Sequence, residues 1–420
     1  MLLTHKTEIK FDKDYANIIS HMCYAAYKLW NVCNYERLHH KELSLPVDFP
    51  NWYYQKKAHK NDHWYKQLPS QTAQEVCKLL DKSWKSYFVL LKTKGIANPR
   101  NPRFKHSNMP VTYMQNGIKH DPGSSRIRLA LPKKLMEHMS ERFGISADFL
   151  FLENKVFRDT GIIKQIKIYP PEEGRCRLLI IYEVPDKEKL PDNGRYLSID
   201  LGSHNMLTCY DSGTGNTFIV GRKYLSLARY FHKEIGRIQS QLVKTQYSKG
   251  IRYPKPSKHI LKLYQKKNNT LQDHLHKCTR YIIRYCLNNS INTLIIGDIT
   301  NIRKNYDKGH QANQNFHSLP YKKIYTMLGY KAAMTGMNFV VQDERYTSQT
   351  SPLKPEVNKT YAEPDKRVER GLYVDNDMSW NADCVGAFNI LRRYLKAEKL
   401  VNVYLDPYKI KVPQIAKVAV

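Results

Sequence analysis

The sequence predicts a multidomain chain of mixed α/β and α+β class, and three observations lead there. At 420 residues, 41% of them hydrophobic, the chain is longer than one core usually serves and apolar enough to fill two or more. Its first half places a lone strand pattern and two helical patterns ahead of a cluster of strand patterns. From Tyr196 onward three strand patterns lead into long helices, after which strands and helices alternate.

Taken in order, "LTHKTEIKF" alternates at period two, with Ile9 and Phe11 on one face, and reads as a strand. From Asp14 to about Leu43, Ile18, Met22, Ala26, Leu29 and Cys33 recur every three to four residues, which makes a helix. A second helix follows Pro69, with Val76, Leu80, Trp84, Phe88 and Leu91 as its core stripe, and stops at Gly95. Between them "FPNWYYQKKAHKNDHWYKQ" is aromatic and basic, a candidate nucleic-acid surface, and "NPRNPRFKH" is a loop. Strand patterns follow in "SRIRLAL", "IIKQIKIYP" and "RCRLLIIYEVP", the last two joined as a hairpin through "PEEG". The N-terminal strand is expected to pair with this later group, leaving the helices as an insertion. After "DKEKLPDNG" come the strands of "RYLSIDLGSHNMLTCYD" and "NTFIV" and two long helices, the second with Ile260, Tyr264, Leu271, Leu275, Cys278, Ile282 and Cys286 on its stripe. The chain then gives a buried strand "INTLIIGD", a helix from about Leu319 to Met337, a strand "NFVVQDE", an irregular stretch, and a helix beginning near Asp383.

Lys and Arg number 68 against 38 acids, a formal net charge of +30. An excess of this size repels itself unless a polyanion neutralises it, and 30 tyrosines interleaved with the basic residues suit a groove offering phosphate contacts and stacking faces. The eight cysteines, at 23, 33, 77, 176, 209, 278, 286 and 384, form no C-x-x-C pair and are expected as reduced thiols of a cytoplasmic protein. The first residues are too polar for a signal peptide. The apolar run around "LLIIYEV" is far short of the roughly 20 residues of a membrane span, so no membrane association is expected.

The second-half order, antiparallel strands followed by helices, a strand ending in an acid and a late helix opening with one, is that of a ribonuclease-H-like fold. Its chemistry needs carboxylates from distant positions to converge on two divalent ions about 4 Å apart, which activate water and stabilise the leaving oxygen of a phosphodiester. Oxygen ligands of this kind select Mg²⁺ or Mn²⁺. Asp200 closes the first strand in "LSIDLG", with Gly202 allowing a tight turn, and Asp383 stands at the start of the last helix, where the helix dipole favours an anion. Taken singly, Asp200 also reads as a turn residue and Asp383 as an N-terminal cap.

The segments "LSIDLG", "IIGDI", "NQNFHSLPYKKIYTMLGYKAAMTGMNFVVQDERYTSQTS", "RVERGLY" and "NADCVGAFNILRR" together resemble the RuvC-like domain of the TnpB (OrfB) family. These are transposon-encoded RNA-guided nucleases related to compact type V CRISPR effectors. The resemblance covers about half the chain, from Arg195 to Leu395. It implies a wedge β-barrel from residues 1–12 and 96–192, a helical recognition lobe (13–95) inserted in it, and a RuvC-like nuclease domain over 193–420. It further implies a guide RNA from the element's own end, a double-stranded DNA target beside a short transposon-adjacent motif, two Mg²⁺ or Mn²⁺ ions, and a monomer associated with a prokaryotic nucleoid. A nuclease-inactive RNA-guided repressor and a transposase are the alternative readings.

The chain departs from the family pattern in two places. Most relatives end the "IIGD" strand with a glutamate that serves as second metal ligand, where this chain has Asp298. Relatives with a zinc ribbon follow the Tyr-Thr-Ser stretch with cysteines, whereas residues 345–380 carry none and are expected as a loop without zinc. Glu344, ending "FVVQDE" on a parallel neighbouring strand, is the preferred source of the missing carboxylate, Asp298 being one methylene short of the usual Glu. The metal set is then Asp200, Glu344 and Asp383, with Asp298 as the alternative and Asp343 demoted. Arg367 and Arg370 steady the loop, contact a phosphate or form surface ion pairs. Asn381 and Asn389 read as capping and packing residues. Gln74, matching a glutamine that relatives place against the adjacent motif, together with Tyr53, Tyr54, Arg103 and Lys105, completes the candidate nucleic-acid contacts.

Overall fold

The N-terminal strand β1 (Leu2–Lys10) finds its partner at the far end of the first half of the chain, running antiparallel to β7 (Arg175–Glu183) over its whole length. The computed structural model describes residues 1–94, 96–299, 309, 313–314, 318–369, 371–400 and 403–418. It divides into two compact units, Met1–Pro185 and Asp186–Val420. The sequence reading sets its nuclease domain to begin at residue 193, within the second unit.

In the first unit the helices α1–α4 fall between β1 and β2 (Val111–Met114) in the chain. Helix α1 (Lys13–Leu38) starts where Asp12 accepts a bond from the Tyr15 amide, and ends well before Leu43. Its residues Ile18, Met22, Ala26, Leu29 and Cys33 are buried, as their spacing requires. Two short helices, α2 (Trp52–Ala58) and α3 (His63–Lys66), lead to α4 (Ser70–Thr93). Val76, Leu80 and Trp84 of α4 are buried, but Phe88 and Leu91 are 43% and 45% exposed. The helix outruns the core there, and Phe88 packs edgewise on Phe49. Strands β6 (Ile162–Ile168) and β7 form the expected hairpin, giving a sheet ordered β1-β7-β6-β2. A second sheet joins β3 (Ile118–His120), β4 (Arg126–Ala130) and β5 (Phe149–Glu153). The sequence reading left α5 (Lys133–Phe143) unassigned; Gly144 at φ 64° closes it, with Leu135 and Met139 buried. Helices and sheets of this unit share one hydrophobic core.

In the second unit a six-stranded sheet forms in the order β12-β11-β8-β9-β10-β15. Strands β8 (Tyr196–Asp200), β9 (Leu207–Asp211) and β10 (Thr217–Val220) are antiparallel neighbours. Strand β11 (Thr293–Asp298) runs parallel to β8, and β12 (Asn338–Asp343) parallel to β11. The edge strand β15 (Gln414–Ile415) lies beside β10. Helices α6 (Tyr224–Ser248), α7 (Lys258–Asn288) and α8 (Tyr321–Thr335) cover one face, where Leu197, Ile199, Leu294 and Ile296 are buried. On α7, Tyr264 is the exception to the expected stripe, being 40% exposed. The other face, with Tyr196, Tyr210 and Ile295, lies under α9 (Ala382–Ala397). The stretch expected as loop contains a two-stranded hairpin, β13 (Leu372–Asp375) and β14 (Met378–Asn381), turning through Asn376 and Asp377 at positive φ.

Candidate active site

The period-two alternation of the sheet decides which acids meet. Ser198 donates to the Ala387 carbonyl of α9 at 2.7 Å, so Asp200, two residues on, lies on the same face. The fit is close: a Cβ on Gly386 of α9 would stand 2.9 Å from Asp200 Oδ2. Gly202 has a similar role in the turn after β8, where a side chain would meet the Asn205 carbonyl at 2.6 Å.

Register places Ile296 beside Ile199 and Asp298 beside Asp343. Asp298 thus follows Leu294 and Ile296 on the face turned away from α9. Glu344, the first residue beyond β12, lies on the α9 side: the space a Gly297 side chain would need is taken by Glu344 Oε2 and, at 2.9 Å, by Ile390 Cδ1. Glu344 Oε2 is buried with no hydrogen-bond partner among the described residues. Asp343 is engaged elsewhere, in ion pairs with Arg345 at 2.8 Å and Arg393 at 3.0 Å.

Asp383 sits in the first turn of α9, which Asn381 caps by accepting from the Asp383 and Cys384 amides. It is three residues before Gly386, on the helix face that meets Asp200. Asn205 Nδ2 donates to its Oδ2 at 2.8 Å, and Arg367 stands 3.5 Å from its Oδ1. Arg370 lies outside the described residues. Burial and the Asp383 charge push the Asp200 carboxyl up to about 7. Burial, with the charges of Asp200, Asp298 and Asp343, pushes Glu344 up to about 8. Joint ionisation of Asp200 and Glu344 is therefore disfavoured, and a cation between them would favour it.

This donor set fits hard divalent cations: carboxylate oxygens only, one of them buried and orphaned, with glycines where side chains would fill the space. Among the described residues no three His, Cys, Asp or Glu side chains are arranged as a finished metal site.

Further residues support the edge: Asn389, expected as a packing residue, and Tyr325, Arg392 and Arg393, which the sequence did not single out. The Tyr325 hydroxyl donates to the Gly297 carbonyl at 2.5 Å and accepts from the Ile299 amide at 3.1 Å, fixing the end of β11. Asn389, buried, donates to the carbonyls of Thr347 and Thr350 at 2.8 and 2.7 Å. Arg392 reaches the Ser351 and Lys354 carbonyls, and Arg393 those of Arg345 and Val357. The "NILRR" spacing, which sets Asn389, Arg392 and Arg393 on one side of α9, was the only sequence signal for this.

The candidate nucleic-acid residues lie in the first unit. Tyr53 is exposed on α2, its ring 3.9 Å from that of Trp52, with Lys56 Nζ over both. Tyr54 is half-buried. Gln74, half-buried on α4, shares a hydrogen bond with Tyr65. Arg103 and Lys105 are exposed on a loop whose carbonyls accept from Trp30 Nε1 and Asn31 Nδ2, and Lys105 Nζ lies 4.7 Å from the Trp30 ring.

Fold and site define a mixed α/β protein that gathers acids at the C-terminal ends of neighbouring strands beneath one helix. Residues 179–303 match the family model OrfB_IS605, described as a probable transposase, and residues 321–390 match the Cas12f1-like TNB domain. Over these two stretches the chain is similar to the TnpB (OrfB) family and to Cas12f1-like proteins. No curated protein matches it in sequence. Among solved structures it is similar to a Cas12f1–sgRNA–target DNA complex (12% identity, 94% of this chain and 100% of that one, TM-score 0.37). It is also similar to the mini-RNA-guided endonuclease Cas_phi3 (10%, 93% and 92%, 0.45) and to Alicyclobacillus acidoterrestris C2c1 with single-guide RNA (10%, 91% and 68%, 0.43). No helix among the described residues is long and apolar enough to cross a membrane.

Proposed function

We propose that the protein is a metal-dependent, RNA-guided DNA endonuclease that takes its guide from RNA of its own element's end. It cuts DNA paired to that guide beside a short adjacent motif, base pairing reading the sequence while the protein reads helix shape and the motif. In this reading residues 193–420 are a RuvC-like, ribonuclease-H-type nuclease domain. Residues 1–12 and 96–192 form a wedge barrel, and 13–95 a recognition insertion that offers Gln74, Tyr53 and Tyr54, with Arg103 and Lys105 on the loop that follows.

What supports the proposal is that Asp200, Glu344 and Asp383 lie on the α9 side of the sheet, with Asp200 repelled by Asp383 and Glu344 by Asp200. These three would hold two Mg²⁺ or Mn²⁺ ions, which when bound supply water activation and stabilisation of the leaving oxygen. The chain's own contribution is placement. Asn205 and Arg367 orient the Asp383 carboxylate, Tyr325 fixes the strand end beside Asp200, and Gly297 leaves room for Glu344. Asp298 keeps a supporting electrostatic role through Glu344.

The test is to purify the protein, sequence the RNA that accompanies it, and offer a DNA matched to that RNA with Mg²⁺. A discrete RNA from the protein's own locus and guide-dependent cleavage are expected, with RNA binding weakening steeply as salt rises. Random cellular RNA alone would defeat the guide reading. A discrete RNA with guided binding but no cleavage under Mg²⁺ or Mn²⁺ would replace it with a nuclease-inactive repressor.

A further inference from the structure

In the first unit a cavity of about 430 Å³ opens where α1, α3, α5 and the loop before β2 meet, within the size range of small-ligand pockets. Its walls carry three imidazoles and a guanidinium, those of His21, His63, His138 and Arg142, beside the rings of Tyr24 and Trp64. No carboxylate is among the described residues that line it. The imidazoles are close together: the His21 and His138 rings are 4.6 Å apart at 32°, and His63 is 6.4 Å from His138. Tyr24 and Trp64 meet edge to face at 5.4 Å.

Neutral imidazoles can pack as ordinary aromatic rings, but these four groups are gathered from three separate helices onto one open cavity. Burial and then the neighbouring His138, His63 and Arg142 hold the His21 imidazole below its usual range. Positive charge on His21 is thus disfavoured while the cavity is empty, and an anion held there would favour it. With imidazoles and a guanidinium on the wall and no carboxylate among the described lining residues, an anion is the ligand this wall suits. The aromatic corner beside the cations adds an apolar surface that a simple inorganic anion would leave unused, whereas a base stacks on such rings.

We propose that this cavity takes a phosphorylated nucleotide, with its phosphate among His21, His63, His138 and Arg142 and its base against Tyr24 and Trp64. The phosphate belongs either to the end of an RNA strand or to a free nucleotide. The inference does not rest on the nuclease reading, because its readout is binding and its residues lie in the other unit.

The experiment uses the full chain with one short RNA of fixed sequence carrying a 5′-phosphate, a 3′-phosphate or neither, and separately with AMP. Strand-end capture predicts that one phosphorylated form binds at least about tenfold tighter than the unphosphorylated RNA. Capture of a free nucleotide predicts that AMP binds by itself. In either case the preference should fall to within about twofold in Arg142→Ala and in His138→Asn. Arg142 is exposed, so its removal should leave the thermal midpoint unchanged. Equal binding of all three RNAs with no AMP binding overturns the proposal, as does a preference that persists in both folded variants.

Discussion

Gly297 and Glu344 share one space: a side chain on Gly297 would overlap Glu344 Oε2, with Ile390 Cδ1 at 2.9 Å closing the other side. Gly297, near the end of β11, thus keeps a hole open for the carboxylate arriving from β12, and fixes that carboxylate on the side of the sheet where Asp200 lies. Gly297→Ala should push Glu344 out of place. Cleavage should fall about 100-fold, while overpacking costs about 1–3 kcal/mol and leaves a folded protein. Cleavage kinetics beside a melting curve check this, and near wild-type cleavage would show that Glu344 need not occupy that position.

Glu344→Gln keeps the size of the side chain and removes its charge. Cleavage should drop by roughly two to three orders of magnitude, with guide-dependent DNA binding retained. Asp298→Asn should cost much less, since Asp298 follows Leu294 and Ile296 on the face turned from α9. Single-turnover cleavage of the two variants decides between them. The opposite ranking would mean that the usual strand position has simply shortened its acid.

The raised acids also predict a dependence of stability on pH and metal. Glu344, at about 8 when folded against 4.5 for the free group, binds its proton more tightly in the folded state. Its ionisation therefore destabilises the fold progressively from about pH 4.5, completely above about 8, and not at all below 4.5. Mg²⁺ should raise the thermal midpoint more at pH 8.5 than at pH 6, because the cation offsets the repulsion only when the acids are ionised. Without metal, Glu344→Gln should melt above wild type at pH 8.5 and close to it at pH 5. A Mg²⁺ effect that is the same at both pH values would count against a metal among these acids.

The stretch after Thr347 is held by α9. Asn389→Ala would leave the buried carbonyls of Thr347 and Thr350 without their donor, at about 1–3 kcal/mol for each unsatisfied group. The variant should melt several degrees lower, and proteolysis should cut first between residues 348 and 380. Elemental analysis of the wild type should find no stoichiometric zinc. One zinc per chain, or an unchanged melting point in the variant, would show that something else holds this segment.

The sequence by itself determined the order of the long helices and of the main strands, though not α5 or the short strands around it, and with it the pairing of the first strand with the late hairpin and the parallel β11–β12 pair. Each follows from periodicity and from short-range connection rules that act along the chain. It also supplied Asp200, Asp383 and Glu344 as candidates, through the motifs that mark strand ends and the start of a helix. The tertiary structure alone decided which of these acids share a face. Whether Glu344 or Asp298 lies with Asp200 depends on strand register and on a single missing side chain at Gly297, and a one-residue slip would reverse the answer. The roles of Asn205, Tyr325, Arg392 and Arg393 were equally hidden, because each acts on groups distant in sequence, and the packing expected of Asn389 found its partners, the Thr347 and Thr350 carbonyls, only in the fold. The extent of α4 beyond its core and the hairpin near Asn376 were hidden for a related reason: periodicity reports a pattern of apolar residues, and only packing decides where that pattern finds a partner.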